Sequence, residues 1–149
     1  MTELPGPVII TGATGFIGGQ LAERLIARGI RPRLLVRDSS RLKPAVAAAA
    51  DIIVGDLSDL LALRMAVRDA GTIFHCAANV NTWDRWENYR TANVDGVQNL
   101  LHAIAQEGLP NGRFVHLSSV DVYGFPPQPC DEDAPSDGGA FGRLMRSCT

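Results

Sequence analysis

Apolar residues fall along this chain in two alternating rhythms. Short, mostly apolar runs at 8–10, 33–36, 52–54, 72–75 and 113–117 are separated by longer stretches whose apolar positions lie three and four apart. The runs have the length of strands buried on both faces, and the stretches between them have helical spacing. Strand and helix in alternation predict crossover units: an α/β fold with a doubly wound, Rossmann-type parallel sheet of at least five strands. The first helix is expected over 15–28, with Phe16, Ile17, Leu21, Leu25 and Ile26 as its inward stripe and Gly29 as its left-handed cap. Residues 39–50 read as a short, weak helix with Pro44 in its first turn. Its alanines supply propensity rather than an apolar stripe, so its expected role is connection.

The first run breaks into Thr11-Gly12-Ala13-Thr14-Gly15-Phe16-Ile17-Gly18-Gly19, which reads as strand, turn and helix. Gly12 lets the chain turn sharply out of the strand, Gly15 has no side chain to keep a phosphate from the backbone, and Gly18 lets the helix pack closely on the sheet. Together they place a dinucleotide pyrophosphate on a helix N-terminus. The spacing is Gly-x-x-Gly-x-x-Gly, which differs from the commonest dinucleotide fingerprint, Gly-x-Gly-x-x-Gly.

Composition narrows the function classes. With 149 residues, 46% hydrophobic and 20% charged, the chain fits one domain over 1–149 with a substantial core. A net charge of −2 and the absence of like-charge runs leave no footprint for nucleic acid or an anionic membrane, and favour a small-molecule substrate. No stretch approaches the roughly 18 apolar residues of a membrane span, and the first residues lack a basic-then-apolar leader, so a cytoplasmic location is expected. Cys76, Cys130 and Cys148 show neither disulfide nor zinc spacing, and no metal is expected. His75 and His116 fall in expected buried strands, and His102 on a helix. The oligomeric state is left open.

With Thr11 before the first glycine and Phe16-Ile17 before the third, the turn resembles the cofactor loop of the extended short-chain dehydrogenases/reductases, the NAD-dependent epimerase/dehydratase family. Further segments carry the same resemblance. In Ile52-Ile53-Val54-Gly55-Asp56-Leu57 it implies that Asp56 accepts from the adenine amino group and Leu57 packs on the base; Asp56 as a helix-start residue is the other reading. His75-Cys76-Ala77-Ala78 resembles the family's His-x-Ala-Ala segment, where small residues let the cofactor lie against the strand end. Asn93-Val94-Asp95-Gly96 begins a helix like the family's Asn-Val-x-Gly helix, in which Asn93 organises backbone near the active site and Gly96 allows close packing. Trp83 and Trp86, between these segments, either roof a substrate pocket or cover the sheet.

The resemblance also bears on cofactor choice and chemistry. Counted from Gly18, the family's acidic, ribose-binding position falls on Val36, which accepts no hydroxyl proton. Arg37 follows, and a guanidinium there can clamp a 2′-phosphate, so NADP is favoured, with NAD possible through Asp38. Ser118-Ser119-Val120-Asp121-Val122-Tyr123-Gly124 matches the family's signature around its catalytic serine, which maps to Ser119. The Tyr-x-x-x-Lys pair that transfers the proton in the family is replaced in the inferred register by Phe141 and Met145, which offer neither proton nor charge. Three readings follow: a truncated or divergent oxidoreductase or epimerase-type protein, a dinucleotide-binding module without catalysis, and a non-functional fragment that ends before the family's sixth strand and substrate-binding region. The first is the choice for the family, and cofactor binding with little turnover is the expectation for these residues unaided.

Overall fold

The expected alternation folds into five parallel strands with helices on both sides. The computed structural model describes residues 4–81, 83–109, 112–119, 123, 129 and 131–134. Strands β1 (Val8–Thr11), β2 (Arg33–Val36), β3 (Asp51–Val54), β4 (Thr72–His75) and β5 (Arg113–His116) stand in the order β3-β2-β1-β4-β5. Every pairing is parallel, with Thr11 opposite Leu35 on one side and His75 on the other. The sheet and its helices, α1 (Phe16–Ile26), α2 (Pro44–Ala48), α3 (Leu60–Val67), α4 (Trp86–Arg90) and α5 (Gly96–Glu107), belong to one unit, Met1–His116. Leu117–Thr149 is a second unit.

Two-residue periodicity decides which helices cover which face. Val8, Ile10, Leu34 and Val36 point to the side of α1 and α2, where Ala22, Leu25, Leu42, Val46 and Ala50 complete a buried cluster. Ile9, Leu35 and Ile73 point the other way, against Ala62, Leu63, Ala66 and Val67 of α3 and Leu100 and Ala103 of α5. Burying a branched side chain as fully as Ile9, at 0% exposure, contributes about 1.5–3 kcal/mol. Leu42, Val46 and Ala50 correct the expectation for 39–50. The helix does begin on Pro44, but this segment closes one core face rather than merely connecting.

Helix ends are set by identifiable groups. Gly29, at φ +79°, ends α1 as expected: its amide donates to Ile26 and that of Ile30 to Leu25, at 2.9 and 3.0 Å. Asp59 caps α3 by accepting from the Ala62 amide at 2.9 Å. At the other end of α3, the Arg33 guanidinium donates to the carbonyls of Met65, Ala66 and Arg68, groups that a helix C-terminus leaves without partners.

The inward stripe of α1 differs from expectation. Phe16 is 87% and Ile17 50% exposed, while Gly18, Ala22 and Leu25 are buried. Phe16 and Ile17 are the first residues of α1, beside the glycine turn, and the buried face of the helix begins only at Gly18. His116 is also exposed, whereas His75 is buried. β5 stands last in the strand order, and Val115 and Leu117 beside His116 are exposed too. Among the described residues, no helix is long and apolar enough to cross a membrane.

Candidate functional site

The carboxyl end of β1, the central strand, gathers most of the expected site residues. The chain leaves β1 through Gly12 at φ +74°, where a Cβ would fall 2.7 Å from the Ala77 nitrogen and 2.8 Å from its Cα. Only glycine allows this approach of the turn to the end of β4. The Gly15 amide donates to the Gly12 carbonyl at 2.9 Å, closing the turn. A Cβ on Gly18 would lie 2.4 Å from the same carbonyl oxygen, so Gly18 sets how closely α1 begins behind β1.

Gly15 is the N-cap residue of α1, and no side chain caps its first amides. A helix start left without a capping side chain presents N–H groups and the positive end of the helix dipole to an anion. Gly15 is exposed, and a Cβ there would meet only the Gly12 carbonyl oxygen, at 3.2 Å. Thr14 is half-buried in the turn, and Phe16 and Ile17 flank the helix start as exposed apolar surfaces.

One hydroxyl ties the turn to the neighbouring strand. Thr11 Oγ1 lies 2.7 Å from His75 Nδ1 and accepts from the Ala77 amide at 3.3 Å. The His75 ring is buried and stacks on His116, with centroids 5.3 Å apart, while Nε2 finds no hydrogen-bond partner among the described residues. Burial, helped by the nearby His116, pushes the His75 pKa down to about 4. Ala77 is half-buried and Ala78 exposed, which leaves the end of β4 lined by small side chains.

At the ends of β2 and β3, two aspartates make the same local turn. Asp38 accepts from the Ser40 amide and hydroxyl at 2.9 and 2.6 Å, and Asp56 from those of Ser58 at 2.7 and 2.6 Å. Both carboxyls are held below the usual aspartate range, first by these serine hydroxyls. Arg37 adds to the lowering at Asp56, so its exposed guanidinium sits close enough to act on that carboxylate. Val36 is buried in the core. Asp56 is not the helix-start residue, because Asp59 caps α3. Leu57 packs beneath α5, where a Cβ on Gly96 would lie 2.8 Å from its Cδ1, and its carbonyl accepts from Asn99 Nδ2 at 2.9 Å.

Asn93 does organise backbone. It lies in a π-helical turn, Thr91–Asp95, and its side chain pairs with both the amide and the carbonyl of Asn79. Asn79 in turn donates to Asp84, which also accepts from the Arg85 amide and Asn88 Nδ2. The Asn88 and Asn79 amides, with the Arg85 backbone, hold the Asp84 pKa at about 2. The hydroxyl of Tyr89 donates to the Asn81 carbonyl. This network escaped sequence reading; its signal is the spacing of amide and carboxylate residues at 79, 84 and 88. Trp83, in this loop, is 93% exposed and does not cover the sheet, and Trp86, at the start of α4, is 47% exposed.

Ser119 lies three residues beyond β5 in sequence and is half-buried in the second unit. Phe141 and Met145 lie outside the described residues. A groove of about 310 Å³ between α3 and α5, lined by Leu60, Leu61, Arg64, His102, Ala103 and Gln106, carries none of the expected site residues.

Comparison with known proteins agrees with this geometry. The model of the NAD dependent epimerase/dehydratase family matches residues 8–140. The chain is 38% identical over 128 residues to a 3 beta-hydroxysteroid dehydrogenase/Delta 5→4-isomerase of Mycobacterium tuberculosis, covering 81% of this chain and 33% of that protein. It is 31% identical over 115 residues to a 2-alkyl-3-oxoalkanoate reductase of Stenotrophomonas maltophilia, covering 77% and 34%. Among solved structures, MoeE5 in complex with UDP-glucuronic acid and NAD superposes with a TM-score of 0.77 at 30% identity, covering 96% of this chain and 48% of that one. The chain thus spans about a third of the length of the curated relatives it matches. Its parallel sheet, glycine turn and matched segments place it in the NAD-dependent epimerase/dehydratase family, to which it belongs with a Rossmann-type fold.

Proposed function

We propose that the turn at 12–18 binds NAD(P), that Arg37 directs a preference for NADP(H), and that this chain serves hydride transfer on an apolar hydroxy or keto compound in the cytoplasm. The observation that carries the reading is the start of α1: no side chain caps it, it is pressed against β1 by Gly18, and Gly15 at its N-cap is exposed. Phosphate oxygens fit such a place without displacing any side chain. Gly12, Thr14, Gly15, Phe16, Ile17 and Gly18 would hold the pyrophosphate, Arg37, Asp56 and Leu57 the adenosine half, and Ala77 and Ala78 the end nearer the nicotinamide, on the strand loop that Asn93 orders. Bound there, a nicotinamide cofactor supplies or accepts a hydride. Ser119 would donate a hydrogen bond to the reacting oxygen.

The NADP preference is supported by two neighbours of Arg37. Val36 is buried and offers no acceptor to a ribose hydroxyl, and the Asp38 carboxylate is already engaged by Ser40. The apolar substrate class is supported by the two relatives above, a steroid dehydrogenase and an oxoalkanoate reductase.

Calorimetric titration with NADPH and NADH tests the reading. One charge-assisted hydrogen bond contributes about 1.5–3 kcal/mol, so NADPH is expected to bind roughly tenfold or more tightly, and Arg37→Ala to remove the difference. Equal affinities in the unsubstituted chain would overturn the NADP preference, and binding of neither cofactor would overturn the dinucleotide site.

A further inference from the structure

Thr11 and His75 stand opposite each other at the last paired positions of β1 and β4, and His116 stands opposite His75 on β5. These side chains share one face of the sheet, as does that of Phe114, two residues before His116. The His75 ring stacks on both aromatic neighbours, 5.3 Å from the His116 centroid and 6.3 Å from that of Phe114. It is 1% exposed, and of its two nitrogens only Nδ1 has a partner among the described residues, Thr11 Oγ1 at 2.7 Å. A buried ring with one nitrogen unpaired is a poor choice for packing alone, since a branched apolar side chain would fill the place without that cost. What the imidazole adds is its bond to Thr11.

That bond reaches the glycine turn by two routes. Thr11 directly precedes Gly12, whose carbonyl accepts from the Gly15 amide at 2.9 Å and lies 2.4 Å from where a Gly18 Cβ would stand, so the placement of Gly12 sets that of the start of α1. The same hydroxyl accepts from the Ala77 amide at 3.3 Å, and a Cβ on Gly12 would fall 2.7 Å from that nitrogen. A threonine hydroxyl held by one 3.3 Å bond is free to turn about χ1; the shorter bond to Nδ1 fixes its rotamer, and with it the gap between the turn and the end of β4. On the reading of the turn at 12–18 as the pyrophosphate site, we infer that His75 is a positioning residue for the dinucleotide, acting through the Thr11 hydroxyl that joins the glycine turn to the end of β4. The ring itself is buried and makes no contact with the cofactor; it decides where the amides that meet the phosphates stand.

Calorimetric titration of the full chain with NADP⁺ at neutral pH, beside urea unfolding, tests this role. His75→Leu removes the bond and the unpaired nitrogen together, so its urea midpoint is expected to stay level or rise while NADP⁺ binds roughly tenfold more weakly, about 1.4 kcal/mol. His75→Asn sets an amide atom where Nδ1 stands and should recover most of that affinity. Thr11→Val should lose at least as much as His75→Leu, and the double variant no more than Thr11→Val alone, because both changes break one link.

Full NADP⁺ affinity in His75→Leu would overturn the inference, as would losses that add in the double variant. A loss that follows a fall in the urea midpoint, and that His75→Asn does not recover, would overturn it by making His75 a structural residue only. Where His75→Leu does not fold, His75→Gln, whose amide lies one bond beyond the place of Nδ1, takes its part with the same expected loss. Failure of the unsubstituted chain to bind either NADP⁺ or NAD⁺ would overturn the reading of the turn and this role with it, whereas binding that is indifferent to position 75 would overturn the role alone.

Discussion

Asn93 grips Asn79 by both edges of its backbone: its Oδ1 accepts from the Asn79 amide at 2.7 Å, and its Nδ2 donates to the Asn79 carbonyl at 3.0 Å. A side-chain amide here does the work of a neighbouring strand, satisfying a donor and an acceptor just beyond the point where β4 stops pairing. Everything in the following loop that depends on Asn79, including its bond to Asp84, depends on this pairing.

Replacing Asn93 with leucine keeps the branched shape of the side chain and removes both bonds. Leaving partly buried backbone groups unsatisfied costs about 1–3 kcal/mol, so the urea midpoint is expected to fall accordingly. The near-ultraviolet circular dichroism of the two tryptophans should weaken as the loop loosens. Unchanged stability together with an unchanged tryptophan signal would show that something other than this pair orders the loop.

Gly15 and Gly18 are expected to separate binding from folding. In Gly15→Ala the new methyl meets a single backbone oxygen at 3.2 Å, a contact that a small shift relieves, so folding should suffer less than in Gly18→Ala, while the methyl stands where a phosphate would approach. In Gly18→Ala the methyl would fall 2.4 Å from the Gly12 oxygen, forcing α1 away from β1 at a cost of about 1–3 kcal/mol. Thermal melts and dinucleotide titrations of the two variants check this. Full dinucleotide affinity in Gly15→Ala would remove the turn from the binding site.

Much of this was legible in the chain. All five strands fall within a residue or so of their apolar runs, Gly29 ends α1, and Gly96 meets Leu57, because each is dictated by local pattern or by a glycine that no other residue could replace. Less legible was where an element ends relative to its neighbours. Periodicity places Phe16 and Ile17 on the stripe of α1, but not the start of its buried face at Gly18; it marks His116 as a strand residue, but not as part of the last strand in the order. The glycine turn was readable because backbone geometry defines it. The amide and carboxylate network around Asp84 was not, because such side chains also occur in ordinary solvated loops.

Acid should weaken the fold through His75. Its pKa is pushed from 6.5 down to about 4 on folding, so the unfolded chain binds more protons between those values. Stability is then complete above about pH 6.5, falls as the pH drops toward 4, and loses no more from this group below that, with roughly 3 kcal/mol at stake. Urea midpoints at intervals across this window should show the decline in the unsubstituted chain and a flatter profile in His75→Gln. Parallel profiles would assign the acid sensitivity to other groups.

Turnover is expected to be slow even with cofactor bound. Phe141 and Met145 are the residues expected from sequence at the family's proton-transfer positions, and general acid–base catalysis contributes about 10² to 10⁴-fold. Long incubations with NADPH and a panel of ketones should therefore show little oxidation of the cofactor. Rapid turnover that survives Ser119→Ala would show that a different residue moves the proton.

The π-helical turn at Thr91–Asp95 inserts one residue between α4 and α5. Each residue advances a helix by roughly 100°, so this insertion re-phases everything before it against everything after it. The surface of α5 that packs on the sheet and the direction in which Asn93 reaches back to Asn79 are thereby uncoupled, as two gears are by a slipped tooth. A chain one residue shorter here would still have an apolar stripe on α5, yet its asparagine would face another way. Length in this turn, as much as the identity of the residue at 93, is what the loop after β4 relies upon.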